Sequence, residues 1–266
     1  MLRASTARAF RKWYPAVVIP SVSWSQPPPT PALSENELHI WRAWLDVETQ
    51  EYARLASYLS ADELLRTERF VFARDRHHFT VARGRLRELL GMYLKTPPES
   101  VQFQTAQYGK LSLPGDAKIR FNLTHSCGLA LYGLAMEREL GIDVERMRSE
   151  FATEDIAERY FSMAERNELR GLRAETRTAG FFLCWTRKEA YVKALGGGLQ
   201  ISLDSFDVSV TPGHPEKLRS MDSERWSMRS FSPAEGFVAS IVGEGRFHAT
   251  SFWSRGGEPG ATSDYE

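Results

Sequence analysis

The chain has 266 residues, 42% of them hydrophobic and 26% charged, and its 34 Lys and Arg balance 34 Asp and Glu. This is the composition of a folded globular protein; the neutral balance excludes a generic nucleic-acid binder, and no apolar run approaches the ~18 residues of a membrane span. Two cysteines, Cys127 and Cys184, with no C-x-x-C pair, exclude a disulfide framework and a thiolate zinc site and point to a reducing, cytoplasmic compartment.

Residues 1–33 carry Arg3, Arg8, Arg11, Lys12 and the run Pro27-Pro28-Pro29, with no acid before Glu35. They read as a disordered Pro/Arg-rich arm, and an Arg-rich, acid-poor start also admits an organelle import signal. Residues 255–266 read as a second loose tail. Between them the pattern predicts a strand over 37–45, then a helix opened by the capping box Ser60-Ala61-Asp62-Glu63. A long helix over 75–94 follows, ended by Pro97-Pro98. Short strands are expected over 121–124, 129–135 and 140–145. A second capping box, Ser162 to Glu165, precedes a helix over 181–195 that Gly196-Gly197-Gly198 stops. Strands near 205–210, 226–231, 236–242 and 247–253 complete the chain. Blocks of each type, rather than strict alternation, favour an α+β fold.

Two segments carry the chemistry. In Gly141-Ile142-Asp143-Val144-Glu145, strand alternation sends Ile142 and Val144 to the core and leaves Asp143 and Glu145 on one face. Adjacent carboxylates repel unless a cation sits between them, and such oxygen donors suit a hard ion such as magnesium. The plain alternative is two solvated acids on an exposed strand. In Trp185-Thr186-Arg187-Lys188-Glu189-Ala190-Tyr191-Val192-Lys193, helical spacing stacks Trp185, Glu189 and Lys193 on one face. Glu189 and Lys193 could be an ordinary surface pair, contributing ~0.3–0.5 kcal/mol.

Together these segments resemble the Sfp-type 4′-phosphopantetheinyl transferases, whose hallmarks are a G-I-D-V-E strand and a W-(S/T)-x-K-E-(A/S)-(Y/F)-x-K helix. Phe121-Asn122-Leu123-Thr124-His125-Ser126, the stretch Arg69 to Arg76 and the loop Tyr108-Gly109-Lys110 are similar as well. The resemblance spans about residues 37 to 253. It implies two similar α/β halves related by a pseudo-twofold, 34–137 on the nucleotide side and 138–254 with the metal and catalytic helix, and coenzyme A in the cleft between them. It implies magnesium, or manganese, on Asp143, Glu145 and Glu189, with Glu189 as the base for a carrier-protein serine and Lys193 neutralising developing charge. Lys188 would also face the phosphates. Thr124, His125, Arg69, Arg76 and Lys110 would line the nucleotide end, with Arg83 and His78 competing with Arg76 for the 3′-phosphate.

The implied reaction moves 4′-phosphopantetheine from coenzyme A to a serine of an apo acyl or peptidyl carrier protein of fatty-acid, polyketide or peptide assembly, releasing 3′,5′-ADP. The enzyme is expected to be a monomer, with no nucleic-acid or membrane partner. The carrier is expected to dock on Met147–Leu172, where Arg146, Arg148, Arg159 and Arg166 alternate with Phe151, Tyr160 and Phe161. Two other functions fit the same residues: a magnesium-dependent hydrolase of phosphate esters or pyrophosphates, and a carrier-binding module without chemistry. Leu111 stands where the family usually has proline, and Thr124 where it usually has serine.

Overall fold

The structure, a computed structural model, describes residues 19–256. The described chain opens with β1 (Glu37–Trp44), α1 (Thr49–Ala56), α2 (Ala61–Thr67) and α3 (Ala73–Leu94). The short pair β2 (Gln104–Thr105) and β3 (Leu111–Ser112) then leads into β4 (Ile119–Ser126) and β5 (Leu129–Met136). The same order recurs with β6 (Leu140–Arg146), α4 (Glu154–Tyr160), α5 (Met163–Gly171) and α6 (Ala174–Leu195). A second short pair, β7 (Asp207–Val208) and β8 (Leu218–Arg219), precedes β9 (Trp226–Phe231) and β10 (Phe237–Glu244). The last strand is β11 (Ala249–Arg255).

The repeat extends to strand pairing. β5 lies antiparallel between β1 and β4, and β10 lies antiparallel between β6 and β9. β11 breaks the pattern: it pairs in parallel with β1, so the strand expected in the second half completes the first sheet. Leu38, Ile40, Leu129 and Leu131 of the first sheet pack against Ile142, Val144, Phe231 and Ile241 of the second. The opposite faces lie under α3 and α6. The result is four layers, helix, sheet, sheet, helix. Both faces of β5 and β10 are therefore buried, which is why these strands read as unbroken apolar runs. Each fully buried Leu, Ile or Phe there contributes ~1.5–3 kcal/mol.

Both capping boxes form: the Ser60 N–H donates to Glu63 Oε2 at 3.0 Å and the Ser162 N–H to Glu165 Oε2 at 2.8 Å. Each box glutamate also reaches the long helix of its own half. Glu63 accepts from Arg87 Nε at 2.7 Å, and Glu165 pairs with Lys188 at 2.7 Å. Arg87 lies fourteen residues beyond Ala73 and Lys188 fourteen beyond Ala174, so the two halves use one device at one helix position.

Two expectations change here. Helix α6 starts at Ala174 rather than 181, because Gly180 continues the helix; a Cβ at Gly180 would meet Leu172 Cδ1 at 2.4 Å. Near 205–210 the ladder is only Asp207–Val208, preceded by a 3-10 turn.

Part of the expected arm is also ordered. Residues 1–18 and 257–266 lie outside the described residues, but Ile19, Val22, Trp24 and Leu33 pack against the cores. Trp24 Nε1 donates to Pro233 O at 2.9 Å, and its ring meets Phe252 edge-on. Ser21 bridges Ser232 and Ser25 bridges Trp253, so this strap touches both sheets. Four apolar side chains outweigh the prolines among which they are set. No helix among the described residues is long and apolar enough to cross a membrane.

Candidate active site

The site begins with a glycine. At Gly141 a Cβ would lie 2.1 Å from Ala190 O and 2.3 Å from Ala194 N, so only glycine lets the α6 backbone press onto β6. Ile142 and Val144 enter the core between the sheets, as alternation requires, and Asp143 faces α6. Lys193 Nζ sits 2.5 Å from Asp143 Oδ1, and Thr124 Oγ1 donates to the same oxygen at 3.1 Å. The helix lysine thus turns to the strand acid rather than forming the surface pair with Glu189. Asp143 is 4% exposed, and its second oxygen, Oδ2, is buried with no hydrogen-bond partner.

β4 and β6 are neighbouring edges of the two sheets, and side chains rather than a backbone ladder join them. Asn122 Oδ1 accepts from the Ile142 N–H at 2.9 Å. Ser126 Oγ donates to Glu145 Oε2 at 2.7 Å and accepts from the Arg146 N–H at 3.3 Å. Residues 122, 124 and 126 alternate to this face, whereas Phe121 and Leu123 pack under α3.

Three carboxylates here are less acidic than usual. Burial pushes Asp143 up, opposed by Lys193 and Thr124. Burial and then repulsion from Asp143 raise Glu145 to about 7. Glu189 is raised by burial and by Asp143, with Lys193 pulling the other way. Lys193, with Arg148 acting on Glu145 alone, therefore faces three acids, an excess of negative charge that favours either protons or a cation.

The remaining expected residues separate. Lys188, expected beside the phosphates, instead lies in the core: it is fully buried, paired with Glu165, and donates to Leu203 O at 2.6 Å and Phe206 O at 2.7 Å. Successive helix residues point about 100° apart, which turns Lys188 away from Glu189 and into the core. Lys110 is also engaged, at 2.7 Å from Glu139 and 3.3 Å from Ala194 O, where a cation meets the negative end of α6. Arg83 is buried on Glu63, and His78 is buried on Asp46 at 2.9 Å. Arg69 and Arg76 are exposed; Arg76 makes one long bond, 3.4 Å to Phe70 O. His125 faces away from Thr124, close enough to His78, Lys193 and Asp75 to feel their charge. Crowding by protein lowers the His125 pKa first and the charges of His78 and Lys193 add to it, although its surface exposure leaves solvent to damp the first effect.

Sequence reasoning missed Asn122 and Ser126, although both stand in the Phe121–Ser126 segment and share its strand alternation with Thr124. It also missed Thr186, whose buried hydroxyl lies 2.8 Å from Ser240 Oγ and ties α6 to β10. A cleft of about 450 Å³ opens beside the seam, lined by Lys110, Arg120, Phe121, Glu139, Gly196 and Trp226 among others.

Among the described residues no three Asp, Glu, His or Cys side chains gather into a cluster that could hold a metal ion. In donor chemistry the site nevertheless fits a hard divalent cation: the carboxylates supply oxygen ligands, and Asp143 Oδ2 is a buried acceptor lacking a donor.

Known proteins match both halves. Residues 139–242 match the 4′-phosphopantetheinyl transferase superfamily, and residues 42–135 match the family described as 4′-phosphopantetheinyl transferase, N-terminal. The 4′-phosphopantetheinyl transferase HetI of Nostoc sp. is 37% identical over 234 residues, 87% of this chain and 98% of that protein. The 4′-phosphopantetheinyl transferase Sfp of Bacillus subtilis is 27% identical over 173 residues, 64% of this chain and 76% of that protein. A solved holo-(acyl-carrier-protein) synthase from Bacillus anthracis, in complex with CoA (3′,5′-ADP), is 25% identical, covering 40% of this chain and 94% of that one with a TM-score of 0.33. With a relative this similar along almost its whole length, the chain belongs to the 4′-phosphopantetheinyl transferase family.

Proposed function

We propose that this enzyme transfers 4′-phosphopantetheine from coenzyme A to a serine of an apo carrier protein and releases 3′,5′-ADP. The observation that carries the reading is the seam itself: Asp143, Glu145 and Glu189 outnumber Lys193 at the meeting of β4, β6 and α6. Such a site is built to receive cationic and phosphate groups together.

Glu189, with a pKa raised above the ordinary carboxylate range, is suited to take the proton of the attacking serine hydroxyl. The serine oxygen forms a bond to the phosphorus carrying pantetheine as the bond to the second phosphate breaks, and 3′,5′-ADP takes the electron pair. Lys193 offsets charge that accumulates on the phosphate oxygens, since positioning and electrostatics dominate phosphoryl transfer. Asp143, Glu145 and Glu189 would hold magnesium, which supplies a charge clamp across the pyrophosphate. His125 and the exposed Arg76 and Arg69 lie toward the start of α3 and suit the 3′-phosphate, where the helix N-terminus adds favourable charge.

The carrier docks on the segment 147–172, with a smaller contact set than its residue types first suggest. Phe161 is buried against Phe181 and Arg166 pairs with Glu158, so neither is available. Phe151 and Met163 are 46% and 70% exposed, with Arg148 over the Phe151 ring. These residues offer an apolar and basic surface suited to an acidic helical partner.

Incubation with coenzyme A, magnesium and a panel of apo carrier proteins, read by intact mass, tests this directly. The expected result is one phosphopantetheine added to at least one carrier. Consumption of coenzyme A with no carrier present would instead assign the site to hydrolysis.

A further inference from the structure

The side-chain seam between β4 and β6 has a regularity that ligand binding alone does not require. Two hydroxyls two residues apart on β4, Thr124 and Ser126, each donate to a carboxylate two residues apart on β6, Asp143 and Glu145. Each hydroxyl takes one oxygen and leaves the other. Asp143 Oδ2 has no partner, and among the described residues Glu145 has no hydrogen bond besides that of Ser126 Oγ. Ser126 is itself fixed, because its oxygen accepts the Arg146 N–H at 3.3 Å while its proton goes to Glu145. A hydroxyl held at both ends has one orientation, and it restricts the orientation of the carboxylate it holds.

We infer that Ser126 is a positioning residue, which orients the Glu145 carboxylate so that its second oxygen and Asp143 Oδ2 are presented together to a divalent cation. The inference rests on the metal reading proposed above. Ser126 touches neither substrate nor ion in this role; it acts through Glu145. Groups that orient metal ligands in this way typically change ion affinity ~10–100-fold when removed. A carboxylate freed from Ser126 must lose rotamer freedom when it binds, and that cost appears in ion affinity.

Asn122 supplies the control. It accepts the Ile142 N–H at 2.9 Å and so joins the same two strands, but among the described residues it hydrogen-bonds to no carboxylate. If the seam matters only as a fastening, Asn122 and Ser126 are equivalent; if it orients ligands, they are not.

Manganese binding to the full chain, followed by electron paramagnetic resonance with and without 3′,5′-ADP, separates the two. Ser126→Ala should weaken manganese binding ~10-fold, and Ser126→Thr, which keeps the hydroxyl, should stay within about threefold of the natural protein. Asn122→Ala should lower the melting temperature and leave manganese affinity unchanged. In transfer assays the manganese needed for half-maximal rate should rise with Ser126→Ala by the same factor, with kcat at saturating metal nearly restored. Equal manganese affinity in Ser126→Ala and the natural protein overturns the inference while leaving the metal reading intact. So does an equal loss in Asn122→Ala, which would reduce the seam to a fastening. A natural protein that binds no manganese in either condition removes the metal reading and this inference with it.

Discussion

Glu88 and Glu189 occupy the same place in the two halves, fifteen residues beyond the first residue of α3 and α6 respectively. Each follows the cation, Arg87 or Lys188, that fastens its helix to a capping-box glutamate. There the likeness ends. Arg85, Arg54 and Arg255 all bond to Glu88, and although burial pushes its pKa up, the arginines bring it below the ordinary value. Among the described residues no arginine pairs with Glu189; burial and Asp143 raise it. The first half closes its charges into pairs, and the second leaves acids in excess. One scaffold occurs twice, with its charges paired in one copy and its acids left in excess in the other, and the residue type alone does not say which.

The largest effect should come from breaking the fastening that both halves share. Lys188→Met leaves Glu165 buried without its cation and should cost ~3–5 kcal/mol in urea unfolding, and Arg87→Met should cost a similar amount. Neither should alter the kcat of the folded fraction. A stable Lys188→Met protein with a raised KM for coenzyme A would restore Lys188 to the phosphates and break the parallel.

Next is the contrast between the two glutamates. Glu189→Gln should lower kcat on the order of a hundredfold, the scale of a lost general base, and should raise the melting temperature without magnesium by relieving repulsion among three acids. Glu88→Gln should do the reverse, costing stability while kcat is unchanged. Near-natural transfer by Glu189→Gln would return that residue to a mere helix surface.

The halves should also respond oppositely to pH. His39, buried beside Tyr93 and Trp253, is pushed down to about 4, chiefly by burial, so the unfolded chain binds its proton first. That contribution is present above the unfolded value and is lost as pH falls through 6.5 toward 4. Glu145, raised from 4.5 to about 7, binds its proton more tightly in the folded protein, so stability without metal falls as pH rises across that interval. Each change is on the order of 3 kcal/mol. Across the interval the two share, His39→Gln should make stability fall more with rising pH and Glu145→Gln should make it rise more in melting curves; slopes unchanged in both would refute the assignment.

The smallest effect concerns the nucleotide end. Arg76→Ala and His125→Ala should each raise KM for coenzyme A about tenfold with kcat held, because the 3′-phosphate does not react. Dephospho-coenzyme A should be indifferent to both changes.

The convergence of Asp143, Glu145, Glu189 and Lys193 at the candidate site was legible because strand alternation and helix spacing are local rules, and these residues obey them. Both capping boxes were legible for the same reason. Lys188 was misplaced because its partner, Glu165, is distant in the chain, and helical spacing alone cannot say which face is core. Lys110 was likewise assigned by its motif, while its contacts come from Glu139 and the end of α6. The roles of Asn122 and Ser126 depend on which strand edges meet, and that is a property of topology. The order of residues 19–33 was hidden because proline runs suggest a loose chain, whereas Trp24 and its neighbours find surfaces only the folded sheets provide.

The strap has a practical corollary for how this protein can be cut. β11 is the outer strand of its sheet, and Ser25 occupies its free side, donating to Phe252 O at 3.0 Å and accepting from the Ser254 N–H at 3.1 Å. The opposite border, β4, is covered by its side-chain seam. A truncation beginning at the first regular strand would therefore uncover a row of unpaired peptide groups next to Phe252 and Trp253, a surface that invites strand-to-strand association between molecules. Fragments that keep Trp24 and Ser25 should stay dispersed at concentrations where those starting at Glu35 cluster.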